Sequence, residues 1–223
     1  ADARVVADQL VEANLCGVDT HGVSRLGIYV ERVRRGVVTT PARVEVLRET
    51  PVSALVDGGN SLGQVVAEKA MEVSLQKAAT SGVGVVGVCR STHCGALGYY
   101  TRRMAGRGFV GMALTNAPAC MAPWGGRAPY LGANQMSVAF PAGKEQPVVL
   151  NISATLVARG KIILAAQQGK EIPPGWATDA EGRPTTDPEA ALKGLVLPLG
   201  GHKGYGLALM VDILSAVMTG ADF

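Results

Sequence analysis

Two hydrophobic rhythms run through this chain. Over residues 2 to 15, Val5, Val6, Leu10, Val11 and Leu15 fall at helical spacing, and Gly17 marks the end of that helix. After the small polar loop Gly17–Gly22 a second helix is expected. Its apolar face holds Val23, Leu26, Val30 and Val33, with Asp19 or Thr20 as its cap and Arg32, Arg34 and Arg35 in its last turns. Residues 43–48 and 52–57 read as strands joined at Thr50–Pro51. A helix over 62–80 follows, then a short buried strand from Val83 to Cys89 that runs into the polar turn Ser91–Gly95. Ala96–Arg107 reads as a helix, while Phe109–Thr115, Met136–Phe140 and Pro147–Leu150 read as strands; 153–167 reads as another helix. Gln168–Pro188, rich in Gly, Pro and Asp, reads as a surface connection. The last helix opens at 199–204 and is expected to bury Leu207, Met210, Ile213, Leu214 and Val217.

This interleaving gives a mixed α/β chain with no regular βαβ alternation and no internal repeat. No GxGxxG follows the first strand, so the dinucleotide fingerprint of the common doubly wound fold is missing. The 223 residues, 48% of them hydrophobic, suffice for a buried core. A net charge of +3, with Lys and Arg scattered along the chain, argues against nucleic acid or an anionic membrane as partner. Cys16, Cys89, Cys94 and Cys120 form no CxxC pair, no secretory signal precedes them, and no apolar run is as long as a membrane span. A reduced, cytoplasmic setting is expected.

The chemistry is expected in the polar and glycine-rich loops at element boundaries: Asp19–Gly22, Ser91–Gly95, Thr115–Pro118, Leu131–Asn134 and Leu199–Gly204. Such loops offer backbone N–H groups to a phosphate or an amide. His93, at the end of a strand, suits acid–base work because its ordinary pKa is near neutrality. Taken alone, a histidine there more often only bonds to a neighbouring loop. Arg25 follows His21 by one helical turn and Tyr29 by another, placing three polar side chains on one face. A guanidinium there can grip a carboxylate or form a surface ion pair. Asp19, His21, His93 and Cys94 show no metal-ligand spacing, so no metal is expected.

In order and spacing these segments resemble the malate/L-lactate dehydrogenase family of the non-Rossmann type, which includes ureidoglycolate and sulfolactate dehydrogenases, diketogulonate reductase and the piperideine-carboxylate reductases. The resemblance rests on Gly17–Val18–Asp19–Thr20–His21–Gly22–Val23 with Arg25 and Tyr29, and on Ser91–Thr92–His93–Cys94–Gly95 with Tyr99. It continues through Thr115–Asn116, Ala158–Arg159–Gly160–Lys161, Pro173–Pro174–Gly175–Trp176, Thr185–Thr186–Asp187–Pro188 and Pro198–Leu199–Gly200–Gly201–His202–Lys203–Gly204–Tyr205–Gly206.

The resemblance implies a mixed-sheet, non-Rossmann fold that binds NAD or NADP. A helical segment over 1–42 would contribute to the substrate site, and 43–223 would form an α/β cofactor-binding core that stops short of the family's usual C-terminal end. It implies a homodimer that interconverts a small 2-oxo acid or cyclic imino acid with the 2-hydroxy acid or amino acid. His93, His21 and Thr20 are the implied catalytic residues, and Arg25 and Tyr29 the implied substrate contacts. Cys94, Gly95, Gly98, Ala117, Asn134, Asn151, Ile152, Ser153, Gly201 and His202 are the implied cofactor positions, most of them through backbone groups. Three departures stand out. Thr20 replaces a Ser, and Ala133 and Gln135 replace the Thr and Pro of Gly-Thr-Asn-Pro. Asn151 begins Asn–Ile–Ser–Ala–Thr where the family has Asp-Met-Ala-Thr-Ser. The lost carboxylate motivates an alternative, a homologue that binds a small acid or a dinucleotide without hydride transfer.

Overall fold

The computed structural model describes residues 1–221. Its elements are α1 (Asp2–Leu15), α2 (Leu26–Arg34), β1 (Glu45–Glu49), β2 (Ser53–Ser61), α3 (Gly63–Ser81), β3 (Val85–Ser91), α4 (Gly98–Gly106), β4 (Gly111–Thr115), β5 (Gln135–Phe140), β6 (Val148–Ser153), α5 (Arg159–Gln168), β7 (Ala177–Thr178), β8 (Pro184–Thr185), α6 (Pro188–Lys193), β9 (Leu195–Val196) and α7 (His202–Asp212). The strands form three-stranded sheets in the orders β1-β2-β3, β4-β5-β6 and β8-β7-β9. The fold is mixed α/β, as expected.

The chain divides into two compact units, and the expected boundary at 42/43 is not where it divides. Unit 1 holds residues 1–113, 137–150 and 215–221; unit 2 holds 114–136 and 151–214. The N-terminal helices belong to unit 1 because α1 buries Val6, Gln9, Leu10 and Ala13, a stripe at i, i+3, i+4 and i+7. Val6 and Leu10 share a cluster with Tyr29, Val38 and Leu62. The expected end of the core at Phe223 lies outside the described residues.

In unit 1, β2 pairs antiparallel with β1 and parallel with β3, and α3 makes the crossover that a parallel pair needs. Gly82, at φ +80°, ends α3. The pairing of β2 with β3 is regular up to Asp57 opposite Cys89 and shifts before Ser61 opposite Ser91. The bulge consists of Gly58, Gly59 and Asn60, and opposite it Arg90 holds the left-handed φ of 47°. The guanidinium of Arg90 grips the buried carboxylate of Asp57, which also accepts the Gly59 N–H at 2.7 Å. Contrary to expectation, β3 is not a buried strand: Val85 is exposed and only Cys89 is fully buried.

Unit 2 has two cores. Cys120, Ala133, Val157, Ile162, Ile172, Ala177, Ala191 and Val196 form one; Met121, Leu131, Ala154 and Ala208 form the other. Three expectations fail here. Residues 153–158 are not helical, because Thr155 bridges to Pro198 and the helix begins only at Arg159. The 168–188 segment contributes β7, β8 and the buried Ile172. In α7 the buried residues are Gly204, Ala208 and Val211, while Met210, Ile213, Leu214 and Val217 are exposed. Small residues face inward because the backbone approaches so closely: a Cβ on Gly204 would lie 2.3 Å from the carbonyl oxygen of Leu199.

Candidate active site

Asn14, in the last turn of α1, organises the Thr20–His21 loop. Its Oδ1 accepts the Val23 N–H at 2.8 Å and its amide donates to Asp19 Oδ1. Gly22 is buried against it, with room for no Cβ: one would fall 2.2 Å from Asn14 Oδ1. Held this way, Asp19–His21 and Val23–Arg25 form two short 3-10 turns rather than the start of one α-helix, and neither Asp19 nor Thr20 caps α2. The phase of α2 changes with them. Val23, Leu26 and Val30 are exposed, whereas Tyr29 is buried and Val33 packs beside it.

The other half of the site is the turn after β3. The Thr92 hydroxyl donates to the Ser61 carbonyl and accepts the Gly63 N–H, both at 3.0 Å, tying the turn to the start of α3. Gly63 is required there, since a Cβ would lie 2.1 Å from the Thr92 carbonyl oxygen. Beyond the histidine, Gly95 takes φ +79° with its α-carbon against the buried Gln9 amide, and Tyr100 donates to the Cys94 carbonyl at 2.6 Å.

These two frames bring His21 and His93 together, although 72 positions separate them in sequence. Their rings stack with centroids 5.4 Å apart and planes 20° from parallel. The Tyr29 hydroxyl lies 2.7 Å from His93 Nδ1, and the Gly95 N–H donates to the same nitrogen at 3.3 Å. Thr20 Oγ1 lies 3.0 Å from His21 Nδ1. Arg25 donates through Nε to the Thr20 carbonyl at 2.8 Å. Among the described residues its terminal nitrogens have no hydrogen-bond partner, nor has Nε2 of either histidine.

The electrostatics keep both imidazoles neutral. Burial pushes the pKa of His93 down to about 4, reinforced by the positive charge that His21, Arg25 and Arg32 would present to its imidazolium form. His21 is lowered too, by burial and then by Arg25. Burial raises the pKa of Tyr29, so its hydroxyl keeps its proton at neutral pH. Uncharged ring nitrogens beside a half-buried guanidinium can exchange a proton with a substrate whose carboxylate the guanidinium holds.

The expected cofactor positions divide between the units. Cys94, Gly95 and Gly98 belong to unit 1 with His93; Ala117, Asn134, Asn151, Ile152, Ser153, Gly201 and His202 belong to unit 2. Asn134 is fully buried with φ 35°. Its amide protons go to the Ala208 carbonyl and to Asp212 Oδ1, and its oxygen accepts the Ala117 N–H. The side chain of Asn134 and the amide of Ala117 therefore brace the unit's interior. Asn151 is exposed at the end of β6, and Ile152 and Ser153 are half-buried. Gly201 (φ +67°) precedes α7, which no side chain caps, and exposed His202 stands edge-on to Trp124 with centroids 5.8 Å apart. Sequence reasoning missed Asn14, Gln9 and Gly63, which act on the site only through packing or backbone bonds, and gave Thr92, inside the Ser91–Gly95 motif, no role of its own. No metal-ligand group of three or more His, Cys, Asp or Glu occurs among the described residues.

The sequence profile of the malate/L-lactate dehydrogenase family matches residues 1–223. The chain belongs to that family. Among curated relatives, it is 42% identical over 221 residues to a malate/(S)-sulfolactate dehydrogenase of Methanothermus fervidus, covering 99% of this chain and 65% of that protein. It is 41% identical to a (2R)-3-sulfolactate dehydrogenase (NADP(+)) of Chromohalobacter salexigens, covering 100% and 66%. With a ureidoglycolate dehydrogenase (NAD(+)) of Escherichia coli K12 the identity is 36%, over 99% and 63%. The chain thus spans just under two thirds of the length of these relatives. Two solved structures are also similar. Malate dehydrogenase from Entamoeba histolytica matches with TM-score 0.96 and 33% identity over 99% of this chain and 65% of that one. The delta1-piperideine-2-carboxylate reductase of Pseudomonas syringae pvar. tomato matches with TM-score 0.93 and 31% identity over 98% and 66%. No helix among the described residues is long and apolar enough to cross a membrane.

Proposed function

We propose that this family member is an NAD(P)-dependent oxidoreductase. It interconverts a small 2-oxo acid, or a cyclic imino acid, with the corresponding 2-hydroxy acid or amino acid. The observation that carries the reading is the stacked, uncharged His21–His93 pair next to Arg25 and Tyr29. A carbonyl reduction needs a proton at oxygen as well as a hydride at carbon, and it needs the substrate carboxylate held in register. Arg25 offers its two terminal nitrogens to that carboxylate. His93 handles the proton at the reacting heteroatom, and His21, bonded to Thr20, completes the polar wall.

Parts of unit 2 fit a dinucleotide. The glycine-led, uncapped start of α7 and the exposed His202 ring are donors suited to phosphate and amide groups. Asn134 and Ala117 do not fit through the atoms already engaged, so within unit 2 we assign contacts with the cofactor to Gly201, His202 and the backbone of the Asn151–Ser153 segment. When bound, the nicotinamide supplies or accepts the hydride. We further propose a homodimer acting in the cytoplasm. The names of the relatives support the reading: they include both NAD(+) and NADP(+) enzymes and substrates that are small acids.

A second reading, binding of a small acid or dinucleotide without hydride transfer, is favoured by Asn151 and by the engagement of Asn134. One experiment separates the two. The protein is titrated with NADH and NADPH by nicotinamide fluorescence, then assayed against a panel of 2-oxo acids and cyclic imines with each cofactor. Binding with turnover is the expected outcome; binding with no turnover on any member gives the second reading.

A further inference from the structure

We infer that Tyr29 is a positioning residue that, with the Gly95 backbone amide, keeps Nδ1 of His93 bare and so places the imidazole proton on Nε2. The inference follows from which partners are able to donate. A backbone N–H can only donate, and the Gly95 N–H points at Nδ1 from 3.3 Å. That nitrogen must therefore present its lone pair. The Tyr29 hydroxyl, 2.7 Å from the same nitrogen, is then a donor as well, although a hydroxyl by itself could act either way. A neutral imidazole carries one proton, so it resides on Nε2, the nitrogen without a partner among the described residues.

The placement of both donors is built into the fold. The Tyr29 ring is buried with Val6, Leu10, Val38 and Leu62, which leaves its hydroxyl little freedom to turn away. Gly95 sits at φ +79°, with its α-carbon against the Gln9 amide, and this conformation directs its N–H back at the ring two residues earlier. The charged and titratable groups around His93 also oppose a second proton on Nδ1. His21 and Arg25 come from the 3-10 turns and Tyr29 and Arg32 from α2, and among the described residues no carboxylate is found acting on the ring.

The consequence for turnover rests on the oxidoreductase reading; the tautomer does not. An Nε2–H donor complements a pure acceptor, the oxygen of a 2-oxo acid. As hydride reaches the carbon, the Nε2 proton passes to the oxygen, Nδ1 takes the proton of the Tyr29 hydroxyl so that the ring stays neutral, and Tyr29 regains a proton from water. The same donor opposes a protonated cyclic iminium, whose nitrogen is itself a donor. The geometry therefore assigns 2-oxo acids as the preferred class.

Nitrogen-15 imidazole NMR on the wild-type protein at pH 7 tests the tautomer directly, with His93→Gln used to assign the signal. The expected spectrum shows a protonated Nε2 and a bare Nδ1; a proton on Nδ1 overturns the inference. In Tyr29→Phe the weaker Gly95 bond acts alone. Both tautomers should then be visible, with kcat for a 2-oxo acid down roughly tenfold and KM within about twofold. A folded variant with the wild-type spectrum and wild-type kcat removes Tyr29 from the role, and the wild-type spectrum decides the tautomer should the variant not fold. An Nε2–H spectrum from a protein that turns over nothing in the panel supports the tautomer and rejects the oxidoreductase reading. Faster turnover of a protonated imine than of every 2-oxo acid overturns the substrate assignment.

Discussion

His93 and Asn134 stand in similar places in the sequence. Each lies in a short polar loop beside a valine- or alanine-containing strand, with a glycine within two positions, and each was expected to face a ligand. In the structure their side chains are engaged differently. The His93 loop is held by groups other than the histidine, by Thr92 within it and by Gly63, Gln9 and Tyr100 outside it, so the ring needs only one of its nitrogens for architecture. The Asn134 loop is held from within, because the asparagine amide itself joins Ala117, Ala208 and Asp212. A polar residue in a glycine-rich turn marks a site only when other groups carry the load of fixing the turn.

The contrast can be broken first at Gly63. Gly63→Ala puts a methyl 2.1 Å from the Thr92 carbonyl, against backbone that cannot yield without moving His93. A loss of about 3 kcal/mol or more in urea unfolding is expected, together with collapse of turnover. A variant with wild-type stability would show that the His93 turn is not pinned at α3.

Asn134→Ala tests the other loop. It leaves the Ala117 N–H, the Ala208 carbonyl and Asp212 short of partners and puts alanine at φ 35°, so a loss of about 2–4 kcal/mol is expected. The same melt checks it, and a change of less than about 0.5 kcal/mol would mean that the amide is not a brace.

Arg25→Ala should leave stability nearly unchanged. It should raise KM for acidic substrates by about 10- to 100-fold while affecting an uncharged analogue little. Equal effects on both would end the carboxylate-clamp role.

The smallest effect is in the pH dependence of stability. His93 has a lower pKa folded than unfolded, so between its ordinary value and about 4 the unfolded chain binds more protons. The stabilising contribution of the neutral ring is complete above pH 6.5 and is lost as pH falls toward 4. Thermal melts across that window should show a shallower slope in His93→Gln than in wild type; identical slopes would contradict the burial of a neutral ring.

Much of this was legible in the sequence, for reasons that particular residues make plain. Helix α1 and the strands flanking Thr50–Pro51 follow from local periodicity, which the fold did not override. The stacking of His21 and His93 was not legible from spacing, and only the ordered set of family motifs pointed to both. The 3-10 turns were hidden because Asn14, outside the loop, sets them. The inward face of α7 was misread because Gly204 and Ala208 are buried for their smallness, which a hydrophobic pattern weighs against them. At Asn134 nothing local tells a side chain that braces the unit from one that faces a ligand.

In the proposed reaction the His21–His93 pair handles the proton that accompanies hydride transfer. The most direct measurement compares wild type and His93→Ala in a nicotinamide-absorbance assay with the best 2-oxo acid, alongside a fluorescence titration of the dinucleotide. A fall in kcat of at least about a hundredfold is expected, with dinucleotide affinity within about twofold. Wild-type turnover in His93→Ala would contradict it.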